Sequence, residues 1–184
     1  PADSMLASYQ PLLHHPKSGD LAFIHIATVE LGIASRDGLG MKDLTRTRFI
    51  NTRKDTPSRT VLDALIAAEG IDSSKINGYL QEVHGPQAVA VAIRNGFADA
   101  GICTSSIASA SGLRFVPVAH EDYELALWRN MLSDPRIGTL LALIQSPAYR
   151  MHLESIGGYD TTKTGVIRNL SPDLTLINCP LPQD

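Results

Sequence analysis

Cysteine is nearly missing from this sequence. It has two, Cys103 and Cys179, far apart and in no CxxC or Cys/His grouping, which excludes a structural zinc site. None of the six histidines falls in an HExxH or similar spacing, and neighbours His14 and His15 point to opposite sides of any regular element. No metal ligand set is therefore expected. Neither GxSxG, a P-loop nor GxGxxG occurs, so nucleophile-elbow and nucleotide-binding chemistry lack their residues and no cofactor is expected. Also missing is any apolar run near the roughly 20 residues that span a bilayer. The opening PADSMLASYQ has neither a basic nor an apolar leader region. The chain accordingly reads as a cytoplasmic or mature soluble protein with no membrane partner. An excess of basic charge is lacking too: net charge is −3 and the pI near 6.1, so direct contact with nucleic acid is not expected.

What is there suits a soluble globular protein: 43% hydrophobic and 19% charged residues. A length of 184 residues supports one sizeable core or two small α/β lobes sharing a waist. Residues 1–20 read as an irregular lead-in with one short helix. LAFIHIATVELGIAS (21–35) is too long for an ordinary strand and reads as two strands or one long crossing strand. A regular alternation follows. RTRFIN (46–51) is strand-like, Thr56 can cap a helix with Pro57 in its first turn, and Val61, Leu62, Leu65 and Ile66 form a helical stripe ending at Gly70. GYLQEV (78–83) reads as a strand, then Pro86 opens a helix that stops at Gly96. ADAGICT (98–104) is a buried strand, followed by a short helix to Gly112 and a strand at 113–120. DYELALW (122–128) reads as a further strand; Asp134-Pro135 and Ser146-Pro147 each open a helix, and the Pro-rich end reads as an arm or tail. Strands alternating with helices predict parallel pairing and a compact α/β lobe at 45–120.

Ligands of parallel α/β sheets bind outside the carboxyl ends of the strands. The turns at 51–59, 82–87 and 103–106 are therefore expected on one edge, each offering unpaired N–H groups and a partial positive charge. The first, NTRKDTPSRT (51–60), holds Asn51, Thr52, Arg53, Lys54, Thr56, Ser58 and Arg59, donors suited to a carboxylate or oxyanion. Asp55 repels an anion there unless it points away or pairs with Arg53 or Lys54. By composition the turn is either an ordinary helix cap or the wall of a site. An enzyme reading draws on Glu82 and His84, two apart on one strand, and on Cys103 beside a helix start. Asp99 either braces its turn or faces the ligand.

FINTRKDTPSRTVLDALI (49–66), INGYLQEVHGPQAVAVAIRNGFADAGI (76–102) and SPAYRMHLESIGGYDTTKTG (146–165) together resemble the periplasmic-binding-protein-like (PBP-like) domain of molybdate-type binding proteins. The variant they resemble is often found behind a helix-turn-helix domain or a molybdopterin-biosynthesis domain. The resemblance implies a type II binding-protein fold: a complete parallel or mixed-sheet lobe at 45–120, and a partial first lobe from 1–44 and 121–184. That first lobe includes crossing strands at 21–36 and 122–128 and helices at 134–157. It further implies a non-catalytic domain holding a small molecule or oxyanion in a cleft, as a sensor or accessory module of a transcriptional regulator or molybdenum-related protein. Its ligand-binding set here is Asn51, Thr52, Arg53, Thr56, Ser58, Arg59, His84, Gln87, Thr104 and Ser105. Two departures stand out. Asp55-Thr56-Pro57-Ser58 replaces a Gly-Ser-Gly-Thr-like turn, losing the close approach that glycine permits. About twenty residues also precede LAFIHIA where the family has a half-lobe. The chain is then a truncated sensor domain, a reduced lobe, or one completed by a partner such as a second copy; an interaction module that self-associates through this lobe is the third reading.

Overall fold

Two strands of 15 residues each, β1 (Leu21–Ser35) and β5 (Arg114–Trp128), pair with each other. A computed structural model describes residues 18–170 and 176–178. The remaining lead-in and tail lie outside the described residues, as does the short helix expected near the start, apart from the 3₁₀ turn Ser18–Asp20. The 113–120 and 122–128 segments form one strand rather than two. Glu121, which falls between the two expected strands, is carried within β5.

The chain divides into two compact units; described residues 30–121 belong to the first, and 18–29 with those from 122 onward to the second. In the first unit, β2 (Phe49–Thr52) lies parallel to both β3 (Glu82–Val83) and β4 (Ala100–Thr104), and Leu31–Ser35 of β1 runs antiparallel to β4. The order is β3-β2-β4-β1. Helices α1 (Pro57–Ala68), α2 (Pro86–Arg94) and α3 (Ser105–Ala110) connect or follow these strands.

Side-chain alternation along the strands sends neighbours to opposite faces, so each face of this sheet needs its own cover. Leu31, Ile33, Phe49 and Ile102 pack with Leu62 and Ile66 of α1. Ile50 and Cys103, one residue along, pack instead with Val89 and Ile93 of α2 and Ala108 of α3. Gly101 makes the second contact close: a Cβ there would lie 2.5 Å from Val89 Cγ1 and 2.8 Å from the Ile50 carbonyl oxygen. Helix α1 ends where Gly70 takes a φ of +66°, with Ile71 N–H donating to Ile66 O at 2.9 Å and Gly70 N–H to Ala67 O at 3.1 Å. This pair of bonds is the Schellman arrangement that satisfies the last carbonyls, and glycine adopts its left-handed backbone without a Cβ clash.

In the second unit, Ala22–Ile24 of β1 pairs with β7 (Ile167–Leu170), which pairs with β8 (Leu176–Asn178); Thr28 and Val29 pair with β6 (Tyr159–Asp160). Helices α4 (Pro135–Gln145) and α5 (Pro147–Ile156) start as the sequence predicts. The Asp134 side chain accepts from Arg136 N and that of Ser146 from Tyr149 N. Leu141 and Ile144 of α4 join Ala22, Ile24, Leu127 and Ile167 in one core. No helix among the described residues is long and apolar enough to cross a membrane.

Candidate functional site

Because β3, β2 and β4 are adjacent and parallel, their carboxyl ends open on one edge of the first unit. From that edge the chain enters α1 at Pro57, α2 at Pro86 and α3 at Ser105. First-turn N–H groups have no intrahelical acceptor, so the edge collects donors and partial positive charge.

At the start of α1, Thr52 is fully buried at the end of β2 and is the hub of three hydroxyls. Its Oγ1 lies 2.9 Å from Thr56 Oγ1 and 3.2 Å from Ser58 Oγ, and Ser58 Oγ lies 3.5 Å from Thr56 Oγ1. Thr56 is the cap residue, but its hydroxyl donates to Arg53 O at 2.7 Å instead of accepting from the helix. The backbone of the turn is closed by Thr56 N–H to Arg53 O at 3.1 Å. Pro57 has no N–H to offer.

Of the charged members of the turn, Arg53 and Asp55 pair with each other, Arg59 turns inward, and Lys54 is exposed. Arg53 forms a two-pronged pair with Asp55, Nε to Oδ1 at 3.0 Å and Nη2 to Oδ2 at 2.6 Å, with both side chains more than half exposed. Hydrogen bonding from Arg53, reinforced by the charge of that guanidinium, holds the Asp55 carboxyl below its ordinary range. Arg59 is buried to 1% exposure. Its Nε donates to Asp63 Oδ1 at 2.8 Å, its Nη1 to Glu82 Oε1 at 3.2 Å and to Thr52 O at 3.4 Å, and its guanidinium stacks 4.4 Å from the centre of the Tyr79 ring. Burial opposes its charge, but Asp63 and Tyr79 more than offset this and keep its pKa above the ordinary value.

The other expected residues are placed as follows. Asn51 is fully buried; its Nδ2 donates to Tyr79 O at 3.1 Å while Oδ1 has no partner. Thr104, at the end of β4, is buried with Oγ1 3.2 Å from Ser106 Oγ, and the neighbouring Ser105 Oγ is buried without a partner. His84, just before α2, and Gln87, in its first turn, are exposed. Strand β3 is shorter than the expected 78–83: Gly78 adopts a φ of +88° and Gln81 N–H closes a turn onto Gly78 O, so only Glu82 and Val83 pair. His84 therefore lies beyond the strand, and its two-residue spacing from Glu82 does not place the two on one strand face. Among the described residues no hydrogen bond joins Glu82, His84 and Cys103. Burial pushes the Cys103 thiol up to about 12, far from a nucleophile's range. Asp99 braces its turn. It accepts from Arg48 N at 3.0 Å and from that residue's guanidinium at 2.6 and 3.1 Å.

Tyr79 and Asp63 are the residues that sequence reasoning passed over. Asp63 stands four residues after Arg59 on a helix, a spacing that brings the pair together and is visible in the sequence. Tyr79 has no such local signal, because its ring reaches Arg59 only once the 78–81 turn forms. No group of three or more His, Cys, Asp and Glu side chains among the described residues is placed to hold a metal ion.

Set beside known proteins, residues 8–145 match the model of the PBP superfamily domain. A Clostridium pasteurianum protein from the ferredoxin 2Fe-2S gene 5′ region is 34% identical over 108 residues, covering 58% of this chain and 96% of its own length. YvgK of Bacillus subtilis is 28% identical over 130 residues, 70% of this chain but only 42% of YvgK. Among solved structures, the substrate-binding domain of a putative molybdenum ABC transporter from Clostridium difficile superposes with a TM-score of 0.55 at 15% identity, covering 84% of this chain and 72% of that one. The last similarity is one of fold: mixed α/β with a mixed sheet, as in type II periplasmic binding proteins.

Proposed function

Since the chain belongs to the PBP superfamily, whose members bind ligands and are not catalysts, we propose that the carboxyl edge of its first unit binds a small oxyanion or small polar anion. The observation that carries this reading is the cluster of Thr52, Thr56 and Ser58 hydroxyls, 2.9 to 3.5 Å apart, at the start of a 12-residue helix. With the Thr56 proton given to Arg53 O, Thr56 Oγ1 serves its neighbours as acceptor, and the Thr52 and Ser58 hydroxyls are the ones whose protons can rotate toward an acceptor-rich guest. The helix start adds a favourable field, although Pro57 has no N–H and the Arg59 N–H is taken by Thr56 O at 3.1 Å. Ser105 Oγ, buried and unpartnered after the adjacent parallel strand, supports the same reading, because a buried hydroxyl without a partner is costly unless a ligand or water completes it.

Recognition rests on neutral dipoles, with Lys54 the exposed cation of the turn. Arg53 is held by Asp55 and Arg59 by Asp63 and Glu82, so neither offers a free fork to the anion. Pro57 and Asp55 stand where the molybdate-type turn has glycines, which argues for a looser fit than a tightly cradled molybdate. A sensor or accessory role beside a regulator or a molybdenum-related protein fits a module that binds and does not react.

Thermal-shift titration with molybdate, tungstate, sulfate, phosphate and small carboxylates tests the proposal. At least one anion is expected to raise the melting temperature, with Thr52→Val and Ser58→Ala each weakening that effect. No shift with any of them counts against it.

A further inference from the structure

The structure assigns Arg59 a different part from the one its polar turn suggests: it is a positioning residue, which sets the geometry of the Thr52, Thr56 and Ser58 hydroxyls and does not touch the ligand. This inference rests on the anion-binding reading above. Three elements meet at its guanidinium. Helix α1 supplies Asp63, β2 supplies the Thr52 carbonyl, and β3 with the turn before it supplies the Glu82 carboxylate and the Tyr79 ring. The clamp is itself cross-braced, since Tyr79 OH donates to Asp63 Oδ1 at 2.7 Å and Tyr79 O accepts from Asn51 Nδ2 at 3.1 Å.

Thr52 links this clamp to the hydroxyls. Its carbonyl oxygen lies 3.4 Å from Arg59 Nη1, and its own Oγ1 is the atom that both Thr56 and Ser58 approach. Releasing the guanidinium frees the end of β2, and with it the hub of the cluster. Charge gives a second reason for an indirect role. One cation facing two carboxylates has little attraction left for an anion, and at 1% exposure it has no open side. Its hydrogen bonds and ring stacking instead use the planar fork that lysine lacks.

Calorimetric titration with molybdate, sulfate and phosphate distinguishes the possibilities, using wild type, Arg59→Lys, Asp63→Asn, Ser58→Ala and the double variant Arg59→Lys/Ser58→Ala. Each is measured well below its melting temperature so that only folded protein is titrated. Arg59→Lys is expected to weaken binding roughly tenfold, and the double variant to be hardly weaker than the worse single change, because residues acting through one another are not additive. Asp63→Asn is the sharper case. It removes a negative charge from the helix that meets the anion, so electrostatics alone strengthens binding, whereas loss of the clamp weakens it, and weakening is expected. Unchanged affinity in Arg59→Lys with only a lower melting temperature overturns the inference, as do additive losses in the double variant or tighter binding by Asp63→Asn. Wild type that binds none of these three, nor tungstate or small carboxylates titrated in the same way, overturns the anion reading itself, and this inference with it.

Discussion

Three buried or bonded side chains carry pH-dependent predictions that separate by window. His25, fully buried on β1, sits with Nε2 3.2 Å from Thr28 Oγ1 and 3.6 Å from Asp122 Oδ1, while its Nδ1 has no partner. Burial lowers its pKa below 6.5, opposed by Asp122 and Asp160 and assisted by Arg168 and Lys163. The folded state thus prefers neutral His25, and its contribution is complete above pH 6.5 and lost as pH falls through the lowered value. Stability measured by urea unfolding should decline with acid just below pH 6.5, and His25→Gln should flatten that slope; an unchanged slope refutes the assignment. Asp99 belongs to a lower window. Hydrogen bonds from Arg48 hold it at about 2 against an ordinary 3.8, so its contribution is present above 3.8 and fades toward pH 2. The stability gap between wild type and Asp99→Asn should close over that interval. Cys103, with a thiol pushed to about 12, should escape alkylation in the native state at pH 8, as peptide mapping of the modified sites would show.

Among the elements, helix starts and stops were the most legible from sequence. Pro57, Pro86, Pro135 and Pro147 each occupy a first turn, where the missing N–H costs nothing, and Gly70 ends α1 with a positive φ. Asp134→Ala and Ser146→Ala each remove a cap bond to a backbone N–H and should cost about 1 kcal/mol in chemical denaturation. A loss below a few tenths of that would mean solvent replaces the bond. Gly101→Ala should cost more, because its Cβ meets Val89 and the rigid carbonyl of Ile50; about 1 to 3 kcal/mol is the range for overpacking. Strands were less legible. The 78–81 stretch has strand-like residues but spends them on a turn, and β5 runs unbroken through Glu121, where the sequence reads as two strands. In both cases pairing partners distant in sequence override local preference.

For the molecule as a whole, binding and stability are one quantity. An anion at 100 times its dissociation constant should add about 2.7 kcal/mol to folding stability, and the melting temperature should climb with anion concentration without a plateau at one equivalent. Hydrogen exchange should slow with anion in residues 52–60; slowing elsewhere only would move the site. The sequence by itself determined the alternation of strands and helices at 45–120, the polar turn after β2 and the family, because apolar periodicity, first-turn prolines and stop glycines are local properties. Tertiary structure decided which of the polar residues are buried and which stay in solvent. Arg59 and Asp55 stand four residues apart in one turn, yet one is buried against Asp63, Tyr79 and Glu82 and the other lies in solvent with Arg53. A guanidinium takes the partners that neighbouring strands bring to it, and that neighbourhood exists only once β2 lies beside β3.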